Sequence, residues 1–515
     1  MAETGVRKWL IVGTVVLSTM IELLDTTIVN VSLPHMMGNL GATLDEIAWV
    51  VTAYVFANVI VVPMASWFSI VFGRRNYFVG SIVLFTVASF FCGNASTLWE
   101  LVFFRFLQGV GGGALMATSQ SILIETFPPA ELGVATGLFG LGVVVGPMIG
   151  PTLGGWITDN YSWPWIFFIN LPIGTVAAIM SLLFIRDPRE KRVVEGIDWF
   201  GIFLLIVGVG SLQVVLDRGE RDDWFAAAHI NVLSLMAVAG IVVFVLWELR
   251  TSRPVVDLRV LKIRSLAIGS FFTFMHGFIS MTSQFIVPVF IQSILGFTPL
   301  QAGFLSLPGS VASAFMMPVA GRLVLRGFPP KLMMIVGFFL FFASMLMMSH
   351  LSLAAGESDF FVPIVLRGFG LGMLFVPFTT MALAGLSQRD THQATGLTNM
   401  MRQLGGSTGV ALMATFIQHR TWTHRQTLLT HITPYDPALR ERLAAIAHGF
   451  VAQGSTFVAA RRQALAAIDA MMSRQALLLT YLDAFRIVGV MFLFCIPLIL
   501  LFRRRALPAT LPVAH

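Results

Sequence analysis

The sequence predicts an all-α membrane protein with two six-helix halves and two further transmembrane helices between them. The observations behind this are the composition, the recurrence of long apolar runs and an internal repeat. Of the 515 residues, 56% are hydrophobic and only 11% are charged, and the mean hydropathy is +0.83. A soluble domain with this composition would have far too little polar surface to cover it.

Apolar runs recur along the whole chain, and about 20 such residues cross a bilayer core as a helix. We predict fourteen spans, at residues 9–33, 46–70, 76–96, 99–124, 132–157, 165–185, 198–216, 229–249, 266–295, 300–324, 332–352, 360–385, 394–418 and 478–502. An even number of spans places both termini on the same side of the membrane.

The placement of Lys and Arg predicts which side that is. Most of these residues fall in the predicted inner segments, whereas the short outer loops hold only Arg218 and Arg221. By the positive-inside rule, both termini are therefore predicted to be cytoplasmic. The net charge of +7 then reflects membrane topology and gives no reason to expect nucleic-acid binding. Arg7 and Lys8 precede the first run without a cleavage site after it, which predicts a retained span and not a signal peptide.

An internal repeat relates the two halves. QGVGGG (108–113) and RGFGLG (367–372) are separated by a shift of 259 residues, and the same shift pairs Gly146 with Gly405. Parallel repeats with a substrate site at their interface are the pattern of major facilitator transporters, so we predict that fold. The predicted parts are an N-terminal half at 1–197, two inserted helices at 198–249, a basic cytoplasmic connector at 250–264 and a C-terminal half at 265–515.

One predicted outer loop, residues 419–477, is far longer than the others. From Pro437 onward its composition is helical. We predict two amphipathic helices that stand outside the membrane or lie on it.

The fifth span contains the stretch GVVVGPMIGPTLGG, in which small residues recur at close to every fourth position. This spacing allows another helix backbone to approach closely, and the prolines remove backbone donors and bend the helix. The stretch therefore predicts a helix interface that moves. Its seven characteristic residues are Gly142, Gly146, Pro147, Gly150, Pro151, Gly154 and Gly155.

Three embedded charges are candidates for proton coupling. Asp25 lies in the middle of the first span with Glu22 three residues earlier, on much the same helix face. A carboxylate at that depth costs about 2.5–3.5 kcal/mol, which suggests a functional role. Arg105 in the fourth span is always charged and needs a partner or a water-filled cavity. The alternative is a purely structural role, as a satisfied polar contact for the carboxylates and as an ion pair for Arg105.

Further polar and aromatic residues predict a substrate cavity between the halves. Arg402 and Asn399 would face the opposing half at mid-depth and suit an anionic or polar part of a substrate. For His276, a satisfied core histidine is the alternative, and Glu125 is interpreted as a solvated residue at the inner end of its span. The predicted cavity residues are Asn30, Gln108, Gln120, His276, Gln284, Phe285, Asn399 and Arg402.

The sequence carries no pattern typical of an enzyme. Cys92 and Cys495 lie inside apolar runs, so neither a disulfide framework nor a metal site is predicted. There is no phosphate-binding GxxxxGK[ST] motif and no visible pairing of a nucleophile with a base. We therefore expect no cofactor, and either an ion gradient or the substrate itself as the energy source. The embedded carboxylates favour a proton gradient.

Several motifs resemble those of the fourteen-span drug:proton antiporters of the major facilitator superfamily, the EmrB/QacA type. They are LLDTTIVNVSLP (23–34), RFLQGVGGG (105–113) and GPMIGPTLGG (146–155). DRGERDDWF (217–225) and the long last outer loop are similar to the EmrB branch. The resemblance implies roles for Asp25 in coupling, for Arg105 in proton transfer and for the glycine-rich stretch in exchange.

The resemblance also implies a multi-pass protein of the bacterial inner membrane that confers antibiotic resistance. It implies a periplasmic membrane-fusion adaptor of the EmrA type and an outer-membrane channel of the TolC type as partners. One motif departs from the family pattern: in the loop SWFSIVFGRR only Gly73, Arg74 and Arg75 remain, because Ile70 replaces an acid and Val71 an arginine. The charge network that latches the inner side is therefore predicted to be absent or made differently.

Together these features predict a proton-coupled multidrug exporter of hydrophobic or amphipathic compounds that works by alternating access. A dedicated exporter of one metabolite, such as a fatty acid or siderophore, is an alternative of the same class. An uncoupled channel or facilitator is the alternative of another class.

Overall fold

The computed structural model describes residues 5–128, 131–186, 198–252, 254–383, 388–430, 432–433 and 435–500, and no β-strand occurs among them. The predicted boundary at 197 and the chain after 500 lie outside this set. The N-terminal half contains α1 (Val6–Leu40), α2 (Leu44–Ile47), α3 (Trp49–Val71), α4 (Arg74–Gly93), α5 (Leu98–Thr126), α6 (Leu132–Asn160), α7 (Trp165–Phe168) and α8 (Asn170–Phe184). The inserted segment contains α9 (Trp199–Leu205), a π-helical turn (Ile206–Gly210), α10 (Ser211–Arg218) and α11 (Ala228–Arg250).

The C-terminal half begins after a short 3₁₀ helix in the connector, Leu258–Lys262. Its helices are α12 (Arg264–Val289, extended by a π-helical turn at Phe290–Ile294), α13 (Pro299–Leu325), α14 (Pro330–Met348), α15 (Glu357–Leu383), α16 (Gln388–Thr430), α17 (Pro437–Ala452), α18 (Phe457–Leu493) and α19 (Cys495–Leu500). Where the structure describes them, the fourteen predicted spans coincide largely with helix. Within the described residues, 12 helices are long and apolar enough to cross a membrane, and α3 and α16 are not among them, so the exact number of crossings stays a prediction.

The internal repeat recurs in the packing of the helices. A Cβ added to Gly111 on α5 would lie 2.8 Å from the carbonyl oxygen of Ser81 on α4. A Cβ added to Gly370 on α15 would lie 2.8 Å from the carbonyl oxygen of Gly337 on α14. These two glycines are related by the same shift of 259 residues. The shared motif therefore gives both halves the same close helix packing.

The apolar core joins the two halves mainly at one end of the bundle. We call this the basic end, because α1 begins there and it carries Arg7 and Arg74. One cluster packs Val15 of α1 with Met317 of α13, and another packs Leu397 of α16 against α3 and the inserted helices. At the opposite, distal end, the two large clusters each lie within a single half. The halves are thus held together by apolar packing on the basic side.

Two helices extend well beyond a membrane at the distal end. The 43 residues of α16 make a helix of about 65 Å, and a hydrocarbon core is about 30 Å thick. The predicted loop 419–477 consists of the end of α16, all of α17 and the first part of α18. Arg425 Nη2 on α16 lies 2.7 Å from Asp469 Oδ1 on α18, and Asp483 accepts from Arg420 and His424. This distal extension is therefore an ordered continuation of the bundle.

The end of α10 and the loop that follows it contact both halves. Asp217 of α10 accepts a hydrogen bond from Thr52 of α3, and the indole of Trp224 in the loop donates to Thr415 of α16 at 3.0 Å. Asp223 and Trp224 both have positive φ values, 53° and 50°, which is uncommon for residues other than glycine. The inserted segment therefore contacts α3 through α10 and α16 through this loop, in addition to its apolar packing against both helices.

Candidate transport site

A buried polar network surrounds Asp25 in the N-terminal half. Arg105 Nη1 lies 2.6 Å from Asp25 Oδ2, and Gln108 Nε2 donates to Asp25 Oδ1 at 2.9 Å. Asn170 Nδ2 donates to the same oxygen, also at 2.9 Å. The side chains of Asp25 and Arg105 are 0% and 1% exposed. The predicted pair of embedded charges is thus a single hydrogen-bonded unit that joins α1, α5 and α8.

Arg105 is held on every side. Its Nη1 also donates to Gln108 at 2.8 Å, and its Nε donates to the carbonyl of Val50 at 3.1 Å. The guanidinium lies 4.2 Å from the ring centroid of Tyr54, a cation–π contact that adds stabilisation when desolvated. Such fixation keeps the charge beside Asp25 in this arrangement of the helices.

The glycine-rich stretch packs directly against the helix that carries Asp25. A Cβ on Gly146 of α6 would lie 2.9 Å from the backbone of both Met20 and Leu24 on α1. A Cβ on Gly154 would lie 2.9 Å from the carbonyl oxygen of Ile28. Gly142 and Gly150 also face α1, and Pro147 and Pro151 lie inside α6. A Cβ on Gly155 would make only an ordinary contact, with Val31 Cγ1 at 3.8 Å. The position of α1 is therefore set by the small residues of α6.

Glu22 lies one turn before Asp25 on α1 and is 5% exposed. Its Oε1 accepts a hydrogen bond from Asn58 Nδ2 at 3.3 Å. Its Oε2 is buried and has no hydrogen-bond partner among the described residues. Glu22 interacts electrostatically with both Asp25 and Arg402. This carboxylate thus lies between the Asp25 network and the C-terminal half.

A small cavity lies where α5 meets the C-terminal half. Its volume is about 20 Å³, enough for one water molecule. Asn399 Nδ2 donates to Gln120 Oε1 at 2.8 Å across the cavity, which links the halves by a direct hydrogen bond. The lining residues are Met116, Gln120, Thr273, His276, Phe375, Phe378, Thr379, Thr398, Asn399 and Arg402. In this closed form the site excludes any organic molecule.

The structure brings four of the eight predicted cavity residues together here, namely Gln120, His276, Asn399 and Arg402. The other four lie elsewhere. Gln108 belongs to the Asp25 network, Asn30 and Gln284 are exposed, and Phe285 packs against the apolar cluster of the C-terminal half. Which of the eight residues reach the cavity depends on how each helix is rotated about its own axis. The spacing of polar residues in the sequence does not define that rotation.

Sequence reasoning missed several residues of both sites. Asn170 is fully buried and donates to Asp25 and to Ser89 Oγ, the latter at 3.0 Å. Its signal was available, because an isolated Asn in an apolar span needs a partner. Phe375 and Phe378 line the cavity, but nothing in the sequence distinguishes them from the rest of the chain's 45 phenylalanines.

The degenerate loop motif forms a charge network of its own at the basic end. Gly73 directly precedes α4 and has φ 82°, a conformation that favours glycine. Arg74 forms an ion pair with Glu125 of α5, and Arg75 Nη2 donates to the carbonyl of Leu182 at 2.7 Å. The interpretation of Glu125 as a solvated residue was wrong, since its side chain is only 15% exposed. Glu125 thus provides a carboxylate for this charge network, although the acid of the family motif is replaced by Ile70.

Comparison with known proteins places this geometry in a family. A model described as the Major Facilitator Superfamily matches residues 15–410. The multidrug export protein EmrB of Escherichia coli K12 is 36% identical over 436 residues, which cover 83% of this chain and 84% of that protein. The fatty acid resistance protein FarB of Neisseria gonorrhoeae is 33% identical and covers 94% of both chains.

Solved structures agree on the fold. The human organic anion transporter MFSD10 aligns with a TM-score of 0.58 at 15% identity, over 79% of this chain and 93% of that chain. A bacterial homologue of the lysosomal transporter Spinster aligns with a TM-score of 0.53 at 15% identity, over 98% of this chain and 100% of that chain. The chain therefore belongs to the major facilitator superfamily, among its drug transporters of the EmrB type.

Proposed function

We propose that this protein exports a range of amphipathic compounds from the bacterial cytoplasm across the inner membrane, in exchange for protons. Its family supports a role as a multi-pass transporter rather than as an enzyme. The relatives named above as multidrug export proteins support a multidrug range. The observation that carries proton coupling is the fully buried unit of Asp25 and Arg105.

In the proposed cycle, protonation of Asp25 leads to release of the substrate on the outer side. A proton on Asp25 removes the charge that holds Arg105, and leaving a buried charge unpaired costs about 3–5 kcal/mol. Gln108 and the Val50 carbonyl remain as acceptors for the guanidinium. We expect this loss to favour rearrangement of α1 against α6, where the glycines allow close packing. Deprotonation towards the cytoplasm would restore the pair and reset the carrier.

The positive-inside distribution supports a cytoplasmic basic end. With that orientation, the structure is closed on the cytoplasmic side by apolar packing between the halves. Alternating access then requires this packing to open while the distal ends approach each other. The energy source in this scheme is the proton gradient, and no cofactor takes part.

The test is transport in inverted membrane vesicles across an imposed pH gradient. Asp25→Asn is expected to abolish proton-driven accumulation of labelled candidate drugs. The matched control is Asp159→Asn, since Asp159 is exposed at the end of α6. Undiminished pumping by Asp25→Asn would exclude the proposed role of Asp25. Substrate movement that never exceeds equilibration would favour an uncoupled facilitator.

The distal extension is proposed as the docking surface for a periplasmic adaptor of the EmrA type, which would connect the pump to an outer-membrane channel of the TolC type. It exposes large apolar side chains outside the predicted membrane region, with Trp422 at 66%, Phe457 at 71% and Tyr435 at 80%. Replacing Trp422 and Phe457 by Ala should prevent co-purification with the adaptor while monodispersity is unchanged. Retention of the adaptor by this variant would argue against the surface.

A dedicated exporter of one metabolite stays the second candidate. The name of the relative FarB, a fatty acid resistance protein, gives it limited support. A panel of labelled substrates in the same vesicles separates the two, because a dedicated exporter would transport one compound class alone.

A further inference from the structure

The cavity between the halves carries a fixed positive charge. Of its ten lining residues, only Arg402 and His276 can ionise, and the part of the chain that the structure describes contributes no carboxylate to the lining. The His276 ring lies 5.8 Å from the ring of Phe375 and 5.9 Å from that of Phe378. Arg402 is therefore the permanent charge of this site.

The donors of Arg402 are poorly satisfied by the protein. Nη2 lies 2.7 Å from the sulfur of Met116, and a thioether is a weak acceptor. Nε is buried and has no hydrogen-bond partner within the described ranges. Glu22 interacts with this guanidinium electrostatically, yet its own hydrogen bond goes to Asn58.

Two buried arginines, Arg105 and Arg367, show how the donors of a guanidinium are satisfied elsewhere in this protein. Arg105 has a carboxylate, an amide and a carbonyl as acceptors. Arg367 is 8% exposed and donates to the carbonyl of Ser283 at 3.2 Å. The half-buried guanidinium of Arg402 faces the cavity and has neither arrangement. It is a suitable site for an anionic ligand, because a carboxylate can accept two parallel hydrogen bonds from a guanidinium.

The rest of the lining matches a molecule with one polar end. Asn399 and Gln120 provide amide groups beside Arg402, and Thr398 and Thr379 provide hydroxyls. Phe375, Phe378 and Met116 form an apolar wall, a surface suited to aromatic or alkyl groups. Entry requires the bond between Gln120 and Asn399 to open, since the closed cavity admits only a water.

We propose that Arg402 binds the carboxylate of amphipathic organic acids, with the apolar part of the acid against Phe375 and Phe378. This inference rests on the proposed export function and names its substrate class. When the acid is bound, its carboxylate takes over the neutralising role that Glu22 has across the gap. Uncharged analogues of the same shape offer the guanidinium no charge-assisted hydrogen bond and bind more weakly.

The test compares 2-naphthylacetate with its neutral amide in equilibrium binding to the full-length protein in lipid nanodiscs. Wild type is expected to bind the carboxylate about 10- to 100-fold more tightly than the amide, the usual worth of a charge-assisted hydrogen bond. Arg402→Gln should abolish this preference. Arg322→Gln is the matched control, because Arg322 is exposed near the end of α13 and far from the cavity.

Equal binding of the two probes by wild type, binding of neither, or a preserved preference in Arg402→Gln would each overturn the inference. If Arg402→Gln does not fold, Arg402→Lys tests the proposal instead. Loss of the planar guanidinium should weaken binding of the carboxylate and leave binding of the amide unchanged. Unchanged carboxylate binding would contradict the proposed contact. The assay needs no proton gradient. Failure of proton coupling in the vesicle experiment therefore leaves its outcome untouched, and the two proposals fail separately.

Discussion

Adding one methyl group to the α1–α6 interface tests whether the glycine stretch determines the position of the proton-coupling helix. The change is Gly146→Ala. The new Cβ would lie 2.9 Å from Leu24 N and 2.9 Å from Met20 O, closer than such atoms approach in proteins. Because both neighbours are backbone atoms, no side-chain rotation can relieve the clash. The two helices must move apart.

The expected magnitude follows from two opposing effects. Overpacking a close interface costs about 1–3 kcal/mol, and replacing Gly by Ala inside a helix returns about 0.5–1 kcal/mol. We therefore expect a net loss of about 1–2 kcal/mol in the free energy of unfolding. Gly155→Ala is the matched control, since its nearest neighbour would be Val31 Cγ1 at 3.8 Å, an ordinary contact. It should be neutral or slightly stabilising.

Both variants can be measured by reversible unfolding in mixed micelles titrated with a denaturing detergent. Displacement of α1 also moves Asp25 relative to Arg105, so Gly146→Ala should in addition slow proton-driven export in vesicles. Equal free energies of unfolding for Gly146→Ala and Gly155→Ala would refute the reasoning. The spacing of glycines on α6 would then not indicate where α6 packs closely against α1.

Two further predictions concern contacts between elements. Arg105→Gln should destabilise the protein by about 3–5 kcal/mol because it leaves Asp25 buried without its cation. The double variant with Asp25→Asn should recover part of that stability but should show no proton-driven export. Full additivity of the two changes in the free energy of unfolding would contradict the pairing. Thr52→Val and Asp217→Ala should each lower the free energy of unfolding by about 0.5–3 kcal/mol, because their side chains share a hydrogen bond between α3 and α10. The double variant should lose less than the sum of the two single losses, and full additivity in a double-mutant cycle would argue against the contact.

The sequence predicts the architecture well because the bilayer imposes simple rules on it. Apolar length identifies the helices, and the shift of 259 residues identifies the repeat that recurs as glycine packing on α5 and α15. Asp25 and Arg105 were predictable for the same reason, since a charge in an apolar run is too costly to lack a partner. The sequence cannot give which partner each one meets.

Side-chain direction is what the sequence leaves open. Gln108 and Gln120 lie on the same helix, yet the first binds Asp25 and the second lines the cavity. Asn30 was expected in the cavity and is exposed, its amide donating to the carbonyl of Thr26. Such assignments depend on the rotation of each helix against its neighbours. That rotation is decided by contacts between residues far apart in the chain.

The proton site and the substrate site share no residue, and this limits how they can communicate. Gln108 contacts Asp25, and Met116 contacts Arg402; these residues are eight positions apart on α5, or about 12 Å. Two unit charges at that separation interact by about 1.4 kcal/mol at an effective dielectric constant of 20, a tenfold effect. Direct electrostatic coupling of Asp25 to a bound anion is therefore weak.

We accordingly expect Asp25→Asn to change the affinity for 2-naphthylacetate by about tenfold or less, although it abolishes proton-driven export. Equilibrium binding to the purified variant measures the first effect and vesicle transport the second. A change in affinity of several hundredfold would mean that proton and substrate compete through a direct contact that the structure does not contain. A small change would instead place the coupling in the movement of α1 against α6, where Gly146 contacts the turn that carries Glu22.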